Sequence, residues 1–497
     1  MSQSFYWRLA RRYGEREAGL SRRTVLKAAM AAGGALLLGA CGSSPVDPFV
    51  QGSPSARRVI VIGAGFAGLS CAYALRSAGY AVLVIEARDR VGGRVITLSD
   101  VAEGKIVEGG GEFVGKNHPT WQAYARLFGL ELQDATEDEN LEKPLCLEGK
   151  TLDADAARKL YQEMTEALAT LEGPAEVVNA DEPWKSAEAA VMDSRTMADW
   201  LAWVNPSPLA KRALRAELEA RGGVGLKKQS YLGQLALVKG GGGSKYWTES
   251  EAWRAKGGNQ SLATKLYEAI GAAHVMLKTR VVSVVTGNQG VFITTDNGQR
   301  FMAEDVVLAT PASVWSKIRL APELPEKLLP QIGSHVKYIS AVRRRFWKDV
   351  GMTARGLTDG PINQMWEATS GQSGEHSAAL ACLSGGNAAA KVRAIPEAQR
   401  DAFFAAEISK AFADYGENRL GARYLDWTGD VLARGGRCVA APGEIMAMGE
   451  TLYHGIGRLH FAGDFACWKF AGSMEGALNS GASVAQRMAL RDGEIRA

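Results

Sequence analysis

Cysteine and histidine are scarce. The 497-residue chain holds 6 of each, and Cys41, Cys71, Cys146, Cys382, Cys438 and Cys467 form no C-x-x-C pair. That pattern excludes a disulfide scaffold and offers no metal-ligand spacing, so the cysteines read as small apolar residues and no metal is expected. Long apolar runs are missing too: the stretch at residues 28–39 is too short to span a bilayer as a mature helix. Nor does the body of the chain carry an excess of one charge. The net charge is +4, but residues 1–41 hold Arg8, Arg11, Arg12, Arg16, Arg22, Arg23 and Lys27 against Glu15 and Glu17, a net of +5 that leaves −1 for residues 42–497. A near-neutral body gives nucleic acid no electrostatic footprint.

What the chain does have is concentrated in residues 57–94. Arg58-Val59-Ile60-Val61-Ile62 is a short β-branched run that predicts a strand covered on both faces. Gly63-Ala64-Gly65-Phe66-Ala67-Gly68 follows at once. In such a turn the first glycine permits the bend, the second lets backbone approach a pyrophosphate, and the third lets the next helix close on the strand. That helix, expected over residues 69–79, aims its N-terminal amides at phosphates. A second strand, Ala81-Val82-Leu83-Val84-Ile85, ends in Glu86, 23 positions beyond Gly63, where a carboxylate accepts from a ribose hydroxyl pair. Together these predict a dinucleotide-binding α/β unit.

The next residues, Glu86-Ala87-Arg88-Asp89-Arg90-Val91-Gly92-Gly93-Arg94, resemble the extension that marks FAD enzymes of the flavin amine oxidase superfamily, of the bacterial flavin monoamine oxidase or L-amino acid oxidase type. The resemblance implies FAD held by Gly63, Gly65, Phe66, Ala67, Gly68, Glu86 and Ala87, with Arg88, Gly93 and Arg94 along the pyrophosphate, whose charge offsets the desolvation of the guanidiniums. Val107-Glu108-Gly109-Gly110-Gly111-Glu112-Phe113-Val114-Gly115 resembles the segment beside the isoalloxazine, which adds Gly110, Gly111 and Glu112 to the cofactor set and puts Phe113 in the substrate cavity. Backbone at Val282 is implied at the adenine. His460-Phe461-Ala462-Gly463-Asp464 resembles the second FAD signature, with Gly463 and Asp464 toward the ribityl or phosphate region. Residues 472–481 open a last helix whose Ser473, Met474 and Ala477 face flavin O2. Finally, Thr310-Pro311-Ala312-Ser313-Val314-Trp315-Ser316-Lys317 resembles the segment whose lysine holds a water against flavin N5. Lys317 is therefore the expected catalytic residue, stabilising negative charge on the reduced ring.

The chain departs from the family where monoamine oxidases frame the amine between two aromatic rings. Ser473 stands at one of those places, and Arg437 and Cys438 stand near the other. The ring pair is thus absent or rebuilt from Phe465, Trp468 or Phe470, and Trp366 is a further candidate for the cavity wall. Cys438 lies closer to Pro442-Gly443 than the family's flavin-linking cysteine does, so non-covalent FAD is expected. The resemblance implies an amine oxidase: a neutral amine gives a hydride from its α-carbon to flavin N5, the imine hydrolyses, and the electrons reach oxygen as hydrogen peroxide. An L-amino acid oxidase, with Arg437 as anchor for the carboxylate, is the alternative. A dehydrogenase or desaturase with a protein redox partner, and a flavoprotein with only a binding role, stay open, as does a homodimer.

At the N-terminus, Ser21-Arg22-Arg23-Thr24-Val25-Leu26-Lys27 resembles a twin-arginine export motif, and Leu38-Gly39-Ala40-Cys41 a lipobox. Passage through the twin-arginine machinery to the periplasm is expected, with a lipid anchor at Cys41. The spread of motifs predicts a doubly wound FAD domain assembled from discontinuous segments, plus an α+β substrate domain. The expected order is signal 1–41, tether 42–56, FAD domain 57–118, helical substrate part 119–245, FAD domain 246–320, substrate part 321–424 and FAD domain 425–497. Two amphipathic helices, at residues 153–171 and 208–220, fall in the helical part.

Overall fold

The computed structural model describes residues 56–135, 141–374 and 376–494. The expected export signal, Cys41 and nearly all of the tether lie outside the described residues.

Five strands form a wholly parallel sheet in the spatial order Leu459–Phe461, Asp305–Leu308, Arg58–Ile62, Ala81–Ile85, Val275–Met276. Ile60, Ile62, Leu83 and Ile85 enter the core on one face, while Val59, Val61, Val82 and Val84 enter the core on the other. A parallel sheet covered on both sides has no polar face, which is why its strands read as unbroken apolar runs. Each such side chain contributes roughly 1.5–3 kcal/mol by leaving water.

Helix Phe66–Ser77 follows the first strand, and helix Met474–Asp492 crosses it closely. A Cβ on Gly481 would lie 2.1 Å from the Ala67 carbonyl oxygen, and one on Gly68 would lie 1.9 Å from that of Gly63. Two glycines therefore set how near the helices come to each other and to the sheet. The first helix begins at Phe66 rather than at residue 69, because Gly65 is its N-cap and Phe66-Ala67-Gly68 make the first turn.

A second, seven-stranded sheet runs Arg419–Asp426, His335–Arg344, His376–Gly385, Gln364–Glu367, Gly356–Thr358, Leu145–Leu147, Lys150–Thr151. Helices Ala154–Ala169 and Pro208–Gly222 pack beside it, capped by Asp153 and Ser207, whose side chains accept from Ala156 and Ala210 N–H groups at 2.9 and 3.2 Å. The wholly helical reading of residues 119–245 is corrected here. Leu132–Asp134 pairs with Trp253–Ala255, and Leu145–Leu147 pairs with Gly356–Thr358. Among the described residues Leu132–Asp134 has only this partner, more than a hundred residues away, while Leu145–Leu147 also turns back on Lys150–Thr151 in a short hairpin. The loop expected at residues 239–244 is shorter, since helix Tyr231–Gly240 runs into it and helix Lys245–Glu249 follows. Asn297-Gly298 turns the hairpin between strands Gly290–Thr295 and Arg300–Ala303, with Gly298 at φ +81°. Among the described residues no helix is long and apolar enough to cross a membrane.

Candidate active site

One long cavity follows the C-terminal ends of the parallel strands. Its nucleotide-like end is built by the strand–turn–helix unit. Gly63 takes φ +106°, and helix Phe66–Ser77 has no side-chain cap, so its first amides are offered to the cavity that Gly65, Phe66 and Ala67 line. A Cβ on Gly65 would meet only the Gly93 Cα, at 4.0 Å, and would fill the cradle instead. Glu86 lines the same end; its two oxygens accept from the N–H groups of Ala64 and Arg88 at 2.7 and 2.8 Å, which fixes the carboxylate. Bare amides, a left-handed glycine turn and a fixed acid suit a dinucleotide, and the residues present fit the cofactor.

Most of the expected cofactor residues come together along this wall: Ala87, Arg88, Gly93, Arg94, Gly110, Gly111, Gly463, Asp464, Ser473, Met474 and Ala477 all line it. A Cβ on Gly110 would fall 1.8 Å from the Arg94 oxygen, so the chain can pass there only as glycine. Arg88 and Arg94 are not left to phosphates alone, because each pairs with a carboxylate, Asp430 and Asp464, at 2.6 Å. Gly68 faces the strand rather than the cavity. Val282 is not on the wall either: Thr279, Arg280 and Val281 are. The strand's register against Gly290–Thr295 shifts between Val281 and Ser283, and Val281 is the residue buried there.

Glu112, expected at the cofactor, lies behind the wall. It is fully buried and accepts from Lys337 Nζ at 2.5 Å and Trp366 Nε1 at 2.8 Å, with Arg254 Nε at 3.4 Å. Burial drives its pKa up, yet Lys337 and Arg254 outweigh that and hold it below the usual carboxylate range. Glu108, close by but without a cation of its own at contact distance, is pushed up to about 7 by burial. Phe113 and Trp366, read as cavity residues, are buried against each other with centroids 6.0 Å apart and do not reach the cavity. Trp468 and Cys438 also miss it and line a smaller side chamber. Of the three aromatics considered as replacements for the ring pair, Phe465 alone lines the main cavity, where Trp427 joins it.

Two lysines reach the cavity. Lys317, the expected one, ends the short 3₁₀ helix Ala312–Lys317 and is exposed. Lys337 is 3% exposed and is the lysine enclosed in the wall. Sequence reading missed it, together with His335 and Arg221, although a signal exists: His335 and Lys337 stand two apart on an otherwise apolar run, so both point to one buried face. The His335 Nε2 lies 3.0 Å from the Ala220 carbonyl oxygen and must donate to it, since a carbonyl only accepts. Burial, then nearby Arg437, lowers this imidazole to about 4, so it is neutral near pH 7. Arg437 does line the cavity; its guanidinium lies against Gly472, where a Cβ would sit 2.5 Å from Nε. Among the described residues no cluster of side chains could hold a metal ion.

Comparison with known proteins agrees with this geometry. The family model described as flavin containing amine oxidoreductase matches residues 66–489. The chain is 24% identical over 449 residues to an L-amino acid dehydrogenase of Synechocystis sp., covering 86% of this chain and 93% of that one. It is 25% identical over 471 residues to the flavin-containing amine oxidase B of Bos taurus, covering 88% and 87%. Among solved structures, cyclohexylamine oxidase from Brevibacterium oxydans superimposes with a TM-score of 0.79 at 26% identity, covering 88% of this chain and 100% of that one. A parallel-sheet nucleotide cradle, completed by segments from both ends of the sequence and matched by the family model over most of its length, shows that the chain belongs to the flavin-containing amine oxidoreductases, FAD enzymes that oxidise amines.

Proposed function

We propose that the protein oxidises a small amine with oxygen as electron acceptor, releasing hydrogen peroxide, and that Lys337 is its active-site lysine. The observation that carries the reading is the single cavity that joins the Gly63-to-Glu86 cradle to Lys337, His335 and Arg437. FAD bound there supplies a ring that takes two electrons from the C–H bond beside the amine nitrogen. Gly65, Phe66 and Ala67 bind its phosphates through backbone amides, and Glu86 orients its ribose. Gly110 and Gly111 would present backbone to the bound ring on this wall, and Trp427 and Phe465 would exclude water from it. Lys337 is fixed by its bonds to Glu112 and the Glu108 carbonyl oxygen and would set a positive charge against the bound ring.

Cys438 supports non-covalent FAD, because its thiol is held well above the usual range by burial and then by Asp464, and it does not reach the main cavity. We propose, on the N-terminal motifs alone, export by the twin-arginine route and a lipid at Cys41; labelling cells with a fatty-acid analogue and comparing Cys41→Ala tests the lipid, and loss of export on replacing Arg22 and Arg23 by lysine tests the route. The oxidation itself is tested by mixing the yellow protein with a panel of amines. Anaerobic bleaching with peroxide on admitting air is expected. Bleaching without peroxide removes oxygen as the acceptor, and no bleaching removes the reading.

A further inference from the structure

A second, smaller chamber shares Arg221 and Arg437 with the main cavity and is closed by Gln234, Tyr246, Cys438 and Trp468. It measures about 30 Å³, room for roughly two water-sized groups and so for one planar carboxylate. The unsatisfied groups around it share one character. Arg437 Nε, Arg221 Nε and Nη1, and Gln234 Nε2 are buried without a hydrogen-bond partner, and all are donors.

The charges are not equally balanced. Arg221 faces Glu217 and Glu251 at 3.8 and 3.7 Å and stacks over the Tyr246 ring at 5.0 Å. Arg437 has no carboxylate within 4.0 Å among the described residues. Its one hydrogen bond is from Nη2 to the Ala471 carbonyl oxygen, at 3.1 Å. A guanidinium carries five N–H donors; with one bonded to a carbonyl and Nε buried without a partner, the half-buried Arg437 has donors left for an anion. Its position is also specific: it packs on Gly472, next to Ser473 and Met474 of the main cavity wall. An anionic group beside Arg437 therefore belongs to a molecule whose remainder lies in the main cavity.

We propose that this chamber receives the carboxylate of an amino-acid substrate, with Arg437 as its counter-charge and Gln234 as a second donor. The proposal rests on the amine-oxidising reading of the main cavity and narrows it: the oxidised carbon carries both the amino group and the carboxylate. Planar, forked donation from Arg437 suits a carboxylate. Arg437 stands near one of the places where monoamine oxidases carry a ring, so an ion pair would hold the substrate there instead.

The test uses the flavin-loaded protein, its Arg437→Met and Arg437→Lys variants, and two probes. Benzoate, a carboxylate that cannot be oxidised, is titrated while the flavin absorbance is recorded. Matched pairs, phenylalanine with phenethylamine, leucine with isoamylamine and lysine with cadaverine, are then compared for anaerobic bleaching. Expected are a benzoate-dependent spectral shift, binding roughly 10- to 100-fold weaker in Arg437→Met with FAD retained, and partial recovery in Arg437→Lys. Within at least one pair the amino acid bleaches the flavin faster than its decarboxylated partner. Benzoate binding that is absent or indifferent to Arg437→Met overturns the proposal, as do amines that match or outrun the amino acids in every pair; amine oxidation survives both results. Arg437-dependent benzoate binding with no bleaching by any compound upholds the carboxylate chamber and overturns the amine-oxidising reading.

Discussion

Replacing Lys337 with methionine isolates the buried charge network behind the cavity. In the native protein Glu112 has three donors or cations around it: Lys337 at 2.5 Å, Trp366 Nε1 at 2.8 Å and Arg254 at 3.4 Å. Methionine fills most of the lysine's volume, so the change removes charge more than packing. Losing one partner of a buried pair costs about 3–5 kcal/mol, and the remaining Arg254 puts the expectation at the lower end, about 3 kcal/mol. The pH dependence follows from the sign of the carboxyl's shift. Lys337 holds Glu112 below its ordinary pKa, which stabilises the native protein above about pH 4.3 and is lost as pH falls through the depressed folded value. Without Lys337 burial dominates and the folded pKa rises, so the variant's deficit should be largest near pH 8 and shrink toward pH 5. Glu112→Gln added to Lys337→Met removes the orphaned charge and should leave a deficit of only about 1 kcal/mol. Urea unfolding of the holoprotein followed by circular dichroism at pH 5 and pH 8 reads both effects. Equal deficits in the single and double variants, or a single-variant loss below about 1 kcal/mol at pH 8, would refute the network's role.

Three further expectations follow from other parts of the site. Reoxidation of the reduced flavin by air should slow in Lys337→Met and stay unchanged in Lys317→Met, as read by the return of visible absorbance; the reverse order would return the role to Lys317. His335, lowered to about 4 from 6.5 by burial first, is a group the unfolded chain protonates before the native protein does, so it draws stability away as pH falls from 6.5 to 4, by about 3 kcal/mol in full. His335→Gln should flatten that acid limb, and an unchanged limb would show that another group sets it. Gly110→Ala drives a methyl into the Arg94 backbone; overpacking of that kind costs roughly 1–3 kcal/mol, and the purified variant should carry much less FAD per chain, measured as the ratio of visible to ultraviolet absorbance.

What the sequence by itself determined is the part written in short range. The run Arg58–Ile62, the glycine turn and Glu86 spell a nucleotide cradle because each glycine answers a local demand of the backbone: left-handed φ at Gly63 and close packing at Gly68. The caps Asp153 and Ser207 found at the two expected helices are just as local, since a cap acts within three residues. Tertiary structure decided which charged groups meet. Lys337 and Glu112 are 225 positions apart, Arg221 and Arg437 come from a helix and a distant loop, and nothing local distinguishes a lysine that ends buried in the cavity wall from one, like Lys317, that lines the cavity exposed. The strand Leu132–Asp134 is a strand because Trp253–Ala255 is there to pair with it. Backbone geometry is set by neighbours along the chain, whereas the burial and pairing of charge are set by neighbours in space, and those exist only once the fold has closed.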